Sequence, residues 1–474
     1  MQRFVTPENK KWWTLGAVSV GLFMIMLDNT VVNVALPAMQ TSLHLQLSEL
    51  EWVVAGYALT FAAFMLTGGK LADFLGRRFI FMVGLAVFTA ASLACGLAPN
   101  GGFLIGARVV QGLGGALMNP ATLSIITATF PPRQRGTAIG IWAGVSAMAL
   151  AIGPLVGGML TEHVNWNWIF FINVPIGIAG LLAIPLFIDE SRDTSHEQRP
   201  DIPGLFASAV GLFALTYGFI EANNYGWTSS RILGSFAVAA VALVTFGLLE
   251  RHQRLPMLNL ALFRNRTFSG ANTAMLFIGL AMFGTFFYLS LYMQNVLGYS
   301  PTQAGASFLP MTLLIIVAAP QAGKLSDRFG SRWLVGGGMT LLTIMLLYYS
   351  RLGLHESFWV LLPGLLIGGV GMGLTMTPTT AAAMSSVPVD QAGVGSAVLN
   401  SSRQVGGSLG IAVMGAIVAS GAAGSHTPEA FLHGFHDALR VAAALAFVGA
   451  IVATSAIRKQ AHQAAPRAAA VEAA

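Results

Sequence analysis

The stretch GGKLADFLGRR occupies Gly68 to Arg78, and AGKLSDRFGSR occupies Ala322 to Arg332, 254 positions later. Gly69, Lys70, Leu71, Asp73, Gly76 and Arg78 match Gly323, Lys324, Leu325, Asp327, Gly330 and Arg332. Arg77 and Arg328 add charge to the two copies. Each phrase is polar, and each sits between long apolar runs. Glycine permits a tight turn between antiparallel helices. The aspartate can face helix N-termini, whose free N–H groups favour an anion, and the arginines can pair with it. An ordinary turn in a basic loop would account for one copy. Two copies at matching places point to a duplicated unit.

The surrounding chain is of 474 residues, 55% hydrophobic and 9% charged. Soluble domains carry about 25% charged residues, so this composition implies a protein that crosses a membrane many times. Glycine is plentiful, and Trp12, Trp13, Trp52, Trp166 and Trp168 stand near the ends of apolar runs, as membrane helices and their aromatic borders require. Fourteen runs match the roughly 20 residues needed to cross. They lie near 13–37, 50–69, 79–98, 103–127, 137–160, 168–188, 202–221, 232–250, 269–295, 303–323, 333–350, 357–383, 394–420 and 437–457. The first is longer than the apolar part of a signal peptide, so it reads as an uncleaved span. The single cysteine, Cys95, excludes an internal disulfide and a cysteine-based metal site; it reads as a packing residue.

Lysine and arginine set the orientation. With a cytoplasmic N-terminus, twenty of the twenty-five fall in inner segments, only Arg231, Arg351 and Arg440 in outer ones, and Arg108 and Arg403 inside spans. Both termini are then cytoplasmic in a cell (inner) membrane. The 254-residue offset places the start of the first span onto the start of the ninth. The expected organisation is a six-helix bundle over 1–188, a cytoplasmic loop over 189–201 and two inserted spans over 202–250. An interfacial linker over 251–268, a second six-helix bundle over 269–457 and a disordered tail over 458–474 complete it.

The intramembrane charges do not repeat. Asp28 corresponds to Met282, Arg108 to Leu362 and Arg403 to Ala149. A loop present twice suits something both halves do, such as moving; a lone charge suits something one half does. Each ionisable group inside a span costs about 2.5–3.5 kcal/mol on insertion scales. Asp28 and Arg108 fall in the outer halves of the first and fourth spans, so they can meet. They are either a static pair or a carboxyl that exchanges a proton for cargo, its charged form disfavoured by burial and favoured by Arg108 or a bound cation. Arg403 either snorkels to the inner interface or gates. Glu221 is a hydrated span end or a gating residue. Glu49 and Glu51 read as an exposed outer loop, with attraction of cations as the alternative. Phe283 and Phe287, in the aromatic and Met-rich ninth span, are candidates to line a cavity, against ordinary packing. In GPLVGG, Gly153 and Gly157 are one turn apart, which lets a helix approach closely, and Pro154 invites a bend; Gly158 closes the motif.

These stretches resemble the major facilitator superfamily. GGKLADFLGRR is similar to its signature loop, ARVVQGLGGA (Ala107 to Ala116) to its fourth-helix arginine motif and GPLVGG to its fifth-helix antiporter motif. LDNTVVNVALP (Leu27 to Pro37) and WNWIFFINVPIG (Trp166 to Gly177) resemble the fourteen-span drug:proton antiporter branch. The resemblance runs from Leu27 to about Gly410. It implies an all-α membrane fold in which two six-helix bundles rock about a central cavity. It also implies Asp28 as coupling acid, Arg108 as its proton-relay partner and Asp73 as part of a conformational latch that docks on the start of the thirteenth span. The chain departs from the pattern at Phe74, where a basic residue is usual, and at Asn167, where an arginine is usual.

Function follows as export of amphipathic, often cationic compounds in exchange for protons, by a monomer in the bilayer and with no cofactor. A dedicated exporter of one metabolite and a passive uniporter are the alternatives. No sizeable soluble domain, metal-ligand cluster, nucleic-acid motif or phosphate loop suggests an enzyme or an ATP-driven pump.

Overall fold

The structure, a computed structural model, describes residues 6, 9–192, 201–253, 256, 258–388, 391–421 and 427–458. The remainder of the predicted 189–201 loop, the predicted tail beyond 458, and the side chain of Asp327 lie outside the described residues. The described residues form helices and no strand.

In chain order the first helices are α1 Lys10–Leu43, α2 Leu47–Leu75, α3 Arg77–Gly96, α4 Gly101–Thr129, α5 Pro132–His163, α6 Trp168–Phe171 and α7 Asn173–Phe187. Next come α8 Ile202–Tyr225 and α9 Ser230–His252. The rest are α10 Arg266–Leu291, α11 Pro301–Ser307, α12 Leu309–Phe329, α13 Ser331–Tyr349, α14 Phe358–Ser385, α15 Ala392–Gly421 and α16 Pro428–Ala456. Among the described residues, 13 helical segments are long and apolar enough to cross a membrane, with α6 and α7 acting as one segment and α11 and α12 as another. The eleventh expected span appears as α13, 19 residues long but opened by Arg332 and diluted by three glycines, and it is not among the 13. A multi-pass all-α membrane architecture is therefore what the chain adopts.

Local chemistry sets the helix ends. The Asn100 side chain accepts from the Phe103 amide at 2.9 Å, and Asp201 accepts from the Gly204 amide at 2.8 Å, each satisfying a donor with no partner inside its helix. Glu49 reaches back to the Gln46 amide at 2.8 Å to complete a capping box. The α2–α3 and α12–α13 joints turn on Gly76 (φ 121°) and Gly330 (φ 84°), conformations that a side chain disfavours.

Packing repeats as the sequence does. α2 and α3 both pack on α4, and α12 and α13 both pack on α14; α1 packs on α5 as α10 packs on α15. Across the halves, α2 meets α15, α5 meets α11 and α1 meets α10, while α8 leans on both α2 and α15. One face carries the Gly76 and Gly330 turns and is termed the basic face here; the other is the opposite face. Towards the opposite face a single hydrophobic core joins Val31–Met39 of α1 and Leu50–Val54 of α2 to α10, α14, α15 and α16. Towards the basic face a second core gathers residues from Leu15 to Leu27 of α1 and Tyr57 to Ala72 of α2, and Ala397 of α15 joins it from the other half. There, residues 133–137 of α5 and Leu325 and Phe329 of α12 are exposed. A cleft lined by Gln321, Lys324, Leu325 and Arg328 opens on the same face. The halves thus share one core towards the opposite face, while towards the basic face α15 reaches the first half through Ala397 and through the Ser401 hydroxyl, which donates to the Ala62 carbonyl at 3.1 Å.

Candidate functional site

Asp28 and Arg108 meet. The Arg108 Nη1 lies 2.5 Å from Asp28 Oδ2, with both side chains buried at 1% exposure or less. Three further bonds fix the pair. Arg108 Nη1 donates to Gln111 Oε1 at 2.7 Å, Arg108 Nε donates to the Val53 carbonyl at 3.0 Å, and Gln111 Nε2 donates to Asp28 Oδ1 at 2.9 Å. Gln111 Nε2 also donates to Ser92 Oγ at 2.9 Å. The guanidinium stands 4.3 Å from the centre of the Tyr57 ring, an arrangement that favours a cation once it is desolvated. Breaking such a pair by removing one partner typically costs about 3–5 kcal/mol, because a charge is left buried and alone. Cys95 packs beside it, its thiol 3.7 Å from Gln111 Oε1.

Sequence reading overlooked Gln111, Ser92 and Tyr57. Gln111 follows Arg108 by three residues, hence on the same helix face. That spacing is the signal that finds it; Ser92 and Tyr57 arrive from α3 and α2 with no signal of their own.

The glycines of GPLVGG lie where three helices converge. A Cβ on Gly157 would fall 2.6 Å from the Val31 carbonyl oxygen of α1, and one on Gly153 would strike the Thr30 hydroxyl. A Cβ on Gly158 would reach the Pro301 backbone, 2.8 Å from its carbonyl carbon, across the boundary between the halves. Pro154 stands inside the continuous helix α5.

At the basic face Asp73 pairs with Arg77 one turn on, 2.9 Å from Nη2 and 2.9 Å from Nε. The start of α3 is not capped by Asp73 but by Glu190, which accepts from the amides of Arg78 and Phe79 at 3.1 Å each. Arg78 Nη1 donates to the Ile188 carbonyl at 3.2 Å. Gly69 faces Pro120 of α4. In the second copy, the Arg332 guanidinium lies 4.8 Å from the Trp333 ring centre and Arg328 lines the cleft. Phe74 is exposed, and Asn167 Nδ2 donates to the Gly96 carbonyl at 2.6 Å, tying the end of α3.

Three expectations need revision. Glu51 is not an exposed mouth residue: it is 2% exposed, because α10 and α15 close over the first turns of α2. Phe287 offers no surface to a substrate; it is fully buried against Tyr288, ring centres 4.8 Å apart. Phe283 is half-buried over Gly407. Arg403 does not reach freely into solvent: its Nε is buried with no partner among the described residues, and Nη2 approaches Asn400 Oδ1 at 3.5 Å. Glu221, half-buried on α8, accepts from Trp52 Nε1 at 3.4 Å and from Asn224 Nδ2 at 2.9 Å.

Two pseudo-equivalent helix sets that share a core towards one face and enclose a buried charge pair define a membrane transporter. The chain belongs to the Major Facilitator Superfamily, whose family model matches residues 18–411. It is similar to the tetracenomycin C resistance and export protein of Streptomyces glaucescens, 38% identical over 413 residues that cover 87% of this chain and 77% of that protein. It is also similar to the multidrug resistance protein Stp of Mycobacterium tuberculosis, 36% identical over 410 residues, 86% of this chain and 76% of that one. Among solved structures it resembles a bacterial homologue of the human lysosomal transporter Spinster, inward-facing and unoccupied. The TM-score is 0.69 at 17% identity, covering 94% of this chain and 97% of that one. At that identity the likeness speaks to the fold alone.

Proposed function

We propose that this protein is a proton-coupled antiporter of the cell (inner) membrane, with both termini cytoplasmic, that exports amphipathic, often cationic drugs or toxic compounds by alternating access. Its relatives are named for resistance, export and multidrug resistance, which supports drug export. The observation that carries the coupling is the buried Asp28–Arg108–Gln111 network in the first half, where the second half has Met282 and Leu362. Asp28 trades a proton against the charge of Arg108 or of a cationic cargo. A proton entering down 100 mV yields about 2.3 kcal/mol, and each pH unit adds about 1.4. Together they sustain a gradient of several hundredfold per proton.

In this reading the Gly153–Gly158 crossing lets the halves rock, Asp73 with Arg77 latches the basic-face loop, and the second loop with Arg328 and Arg332 does the same for its half. Proteoliposomes with an imposed pH gradient and a panel of lipophilic cations test it. Cargo-dependent proton release, lost in Asp28→Asn, is expected; no proton movement with any cargo refutes antiport. Since the Streptomyces glaucescens relative is named for a single compound, a second reading is a dedicated exporter, which predicts that one member of a wide panel moves and the rest do not.

A further inference from the structure

Glu51 stands one turn into α2, near the opposite face, and plays no part in the network of Asp28. The Tyr288 hydroxyl of α10 donates to its Oε1 at 2.7 Å. Gly415 of α15 backs it: a Cβ there would lie 2.5 Å from the Glu51 Cδ and 2.6 Å from the Tyr288 hydroxyl. The carboxyl is therefore boxed in by α2 from one half and by α10 and α15 from the other.

No ion pair among the described residues reaches Glu51. The charged group that faces it from α8 is Glu221, another carboxyl, bound to the neighbouring Trp52. From α10 the Tyr288 phenol meets it, and from α15 the Gly415 backbone backs it. Arg108 of α4 is engaged with Asp28, Gln111 and the Val53 carbonyl. An ionised carboxyl in this enclosure would hold one neutral donor, no cation and a like charge nearby, and burial of such an ion is costly. A neutral carboxyl meets no such penalty.

We propose that Glu51 is a second proton-binding carboxyl, separate from Asp28, whose protonation licenses closure of the seam between α2, α10 and α15 at the opposite face. When that seam parts, Glu51 meets water and ionises. Only after taking a proton back from the opposite-face solution can it be sealed again beneath Tyr288 and Gly415. Glu221, half-buried and bonded to exposed Asn224, stands next to it on the way to the surface. The proposal rests on the alternating-access reading above. It adds a proton that controls the gate without itself being carried across.

The test uses the full chain in nanodiscs with spin labels at His163→Cys of α5 and Glu429→Cys of α16, both exposed at the opposite face; fully buried Cys95 is left in place. The distance between the labels reports the seam. In the wild-type background the open-to-closed ratio rises with pH by up to about tenfold per unit, since the closed state holds one more proton. Glu51→Gln, permanently neutral, stays closed throughout, and Asp28→Asn retains the pH response. A ratio that does not change with pH in the parent, or that titrates unchanged in Glu51→Gln, overturns the proposal. Infrared spectra give a second readout: a protonated-carboxyl band at neutral pH, absent from Glu51→Gln. Should that variant fail to fold, Tyr288→Phe carries the test. Loss of its hydroxyl shifts the band, and an unmoved band overturns the assignment. A titrating seam in a protein that shows no proton-coupled transport would sink the antiport reading alone.

Discussion

Gly305 of α11 lies so close to Pro154 of α5 that a methyl group on it would strike the Pro154 carbonyl. Gly158 returns the contact against Pro301. Two backbones from different halves touch here without side chains between them, and the touch is part of what closes the opposite face.

Enlarging either glycine should therefore prise the halves apart. Gly305→Val and Gly158→Val are expected to shift the population towards a conformation open at the opposite face. Cysteine reporters near Thr302 would then label several-fold faster than in the parent. The substitutions meet backbone, which does not yield as a flexible side chain does, so a cost of about 1–3 kcal/mol in thermal stability accompanies the shift.

Asp28→Asn keeps the shape of the side chain but removes its charge. The fold is expected to survive, with unchanged gel-filtration behaviour, while proton-coupled efflux in proteoliposomes falls to background. Efflux equal to the parent's would take Asp28 out of the mechanism.

Arg108→Lys is not a mild change. Arg108 serves Asp28, Gln111 and the Val53 carbonyl and stacks on Tyr57, and an ammonium on a flexible stem cannot reproduce that planar fork. Transport should fall markedly. Arg108→Ala should lose about 3–5 kcal/mol of stability as well, read as a lowered unfolding temperature in detergent.

Gln111→Leu leaves Asp28 and Arg108 each short of a partner. A buried polar group so stranded costs about 1–3 kcal/mol. Reduced thermal stability together with an altered pH profile of efflux is expected; a change in stability alone would mark Gln111 as scaffolding.

Asp73→Ala removes the partner of Arg77 while Glu190 still caps α3. Helix content should hold, and exchange between the two states, followed by single-molecule fluorescence, should slow. Unchanged transport rates would argue against a latch.

Much of this is legible in the sequence. Apolar runs of membrane length are visible one residue at a time, so the fold class can be read directly, and a duplicated loop shows in plain alignment. Asp28 and Arg108 stood out because a charge within a long apolar run is conspicuous. Gln111 lay inside the same quoted motif yet carries no charge, and its role depends on the helix face it shares with Arg108. Glu51 reads as exposed because it sits beside Glu49 at the start of a run, where acids usually meet water. Only the way α10 and α15 lean over that turn buries it, and tertiary packing of that kind leaves no local mark. Phe287 was one of several aromatics along one helix, and composition does not say which face turns to the core.

The hairpin of α8 and α9 has a consequence of its own. Asn223 of α8 donates to the Ala416 carbonyl at 2.7 Å, and Asn224, one residue on, donates to Ser48 Oγ at 3.1 Å. A single helical turn thus clasps one helix from each lobe at the same height. The extra pair is no idle spacer adrift in lipid: any swing that separates α2 from α15 has to unfasten that buckle first, so excising the hairpin to leave a shorter, twelve-helix relative would slacken the joint itself.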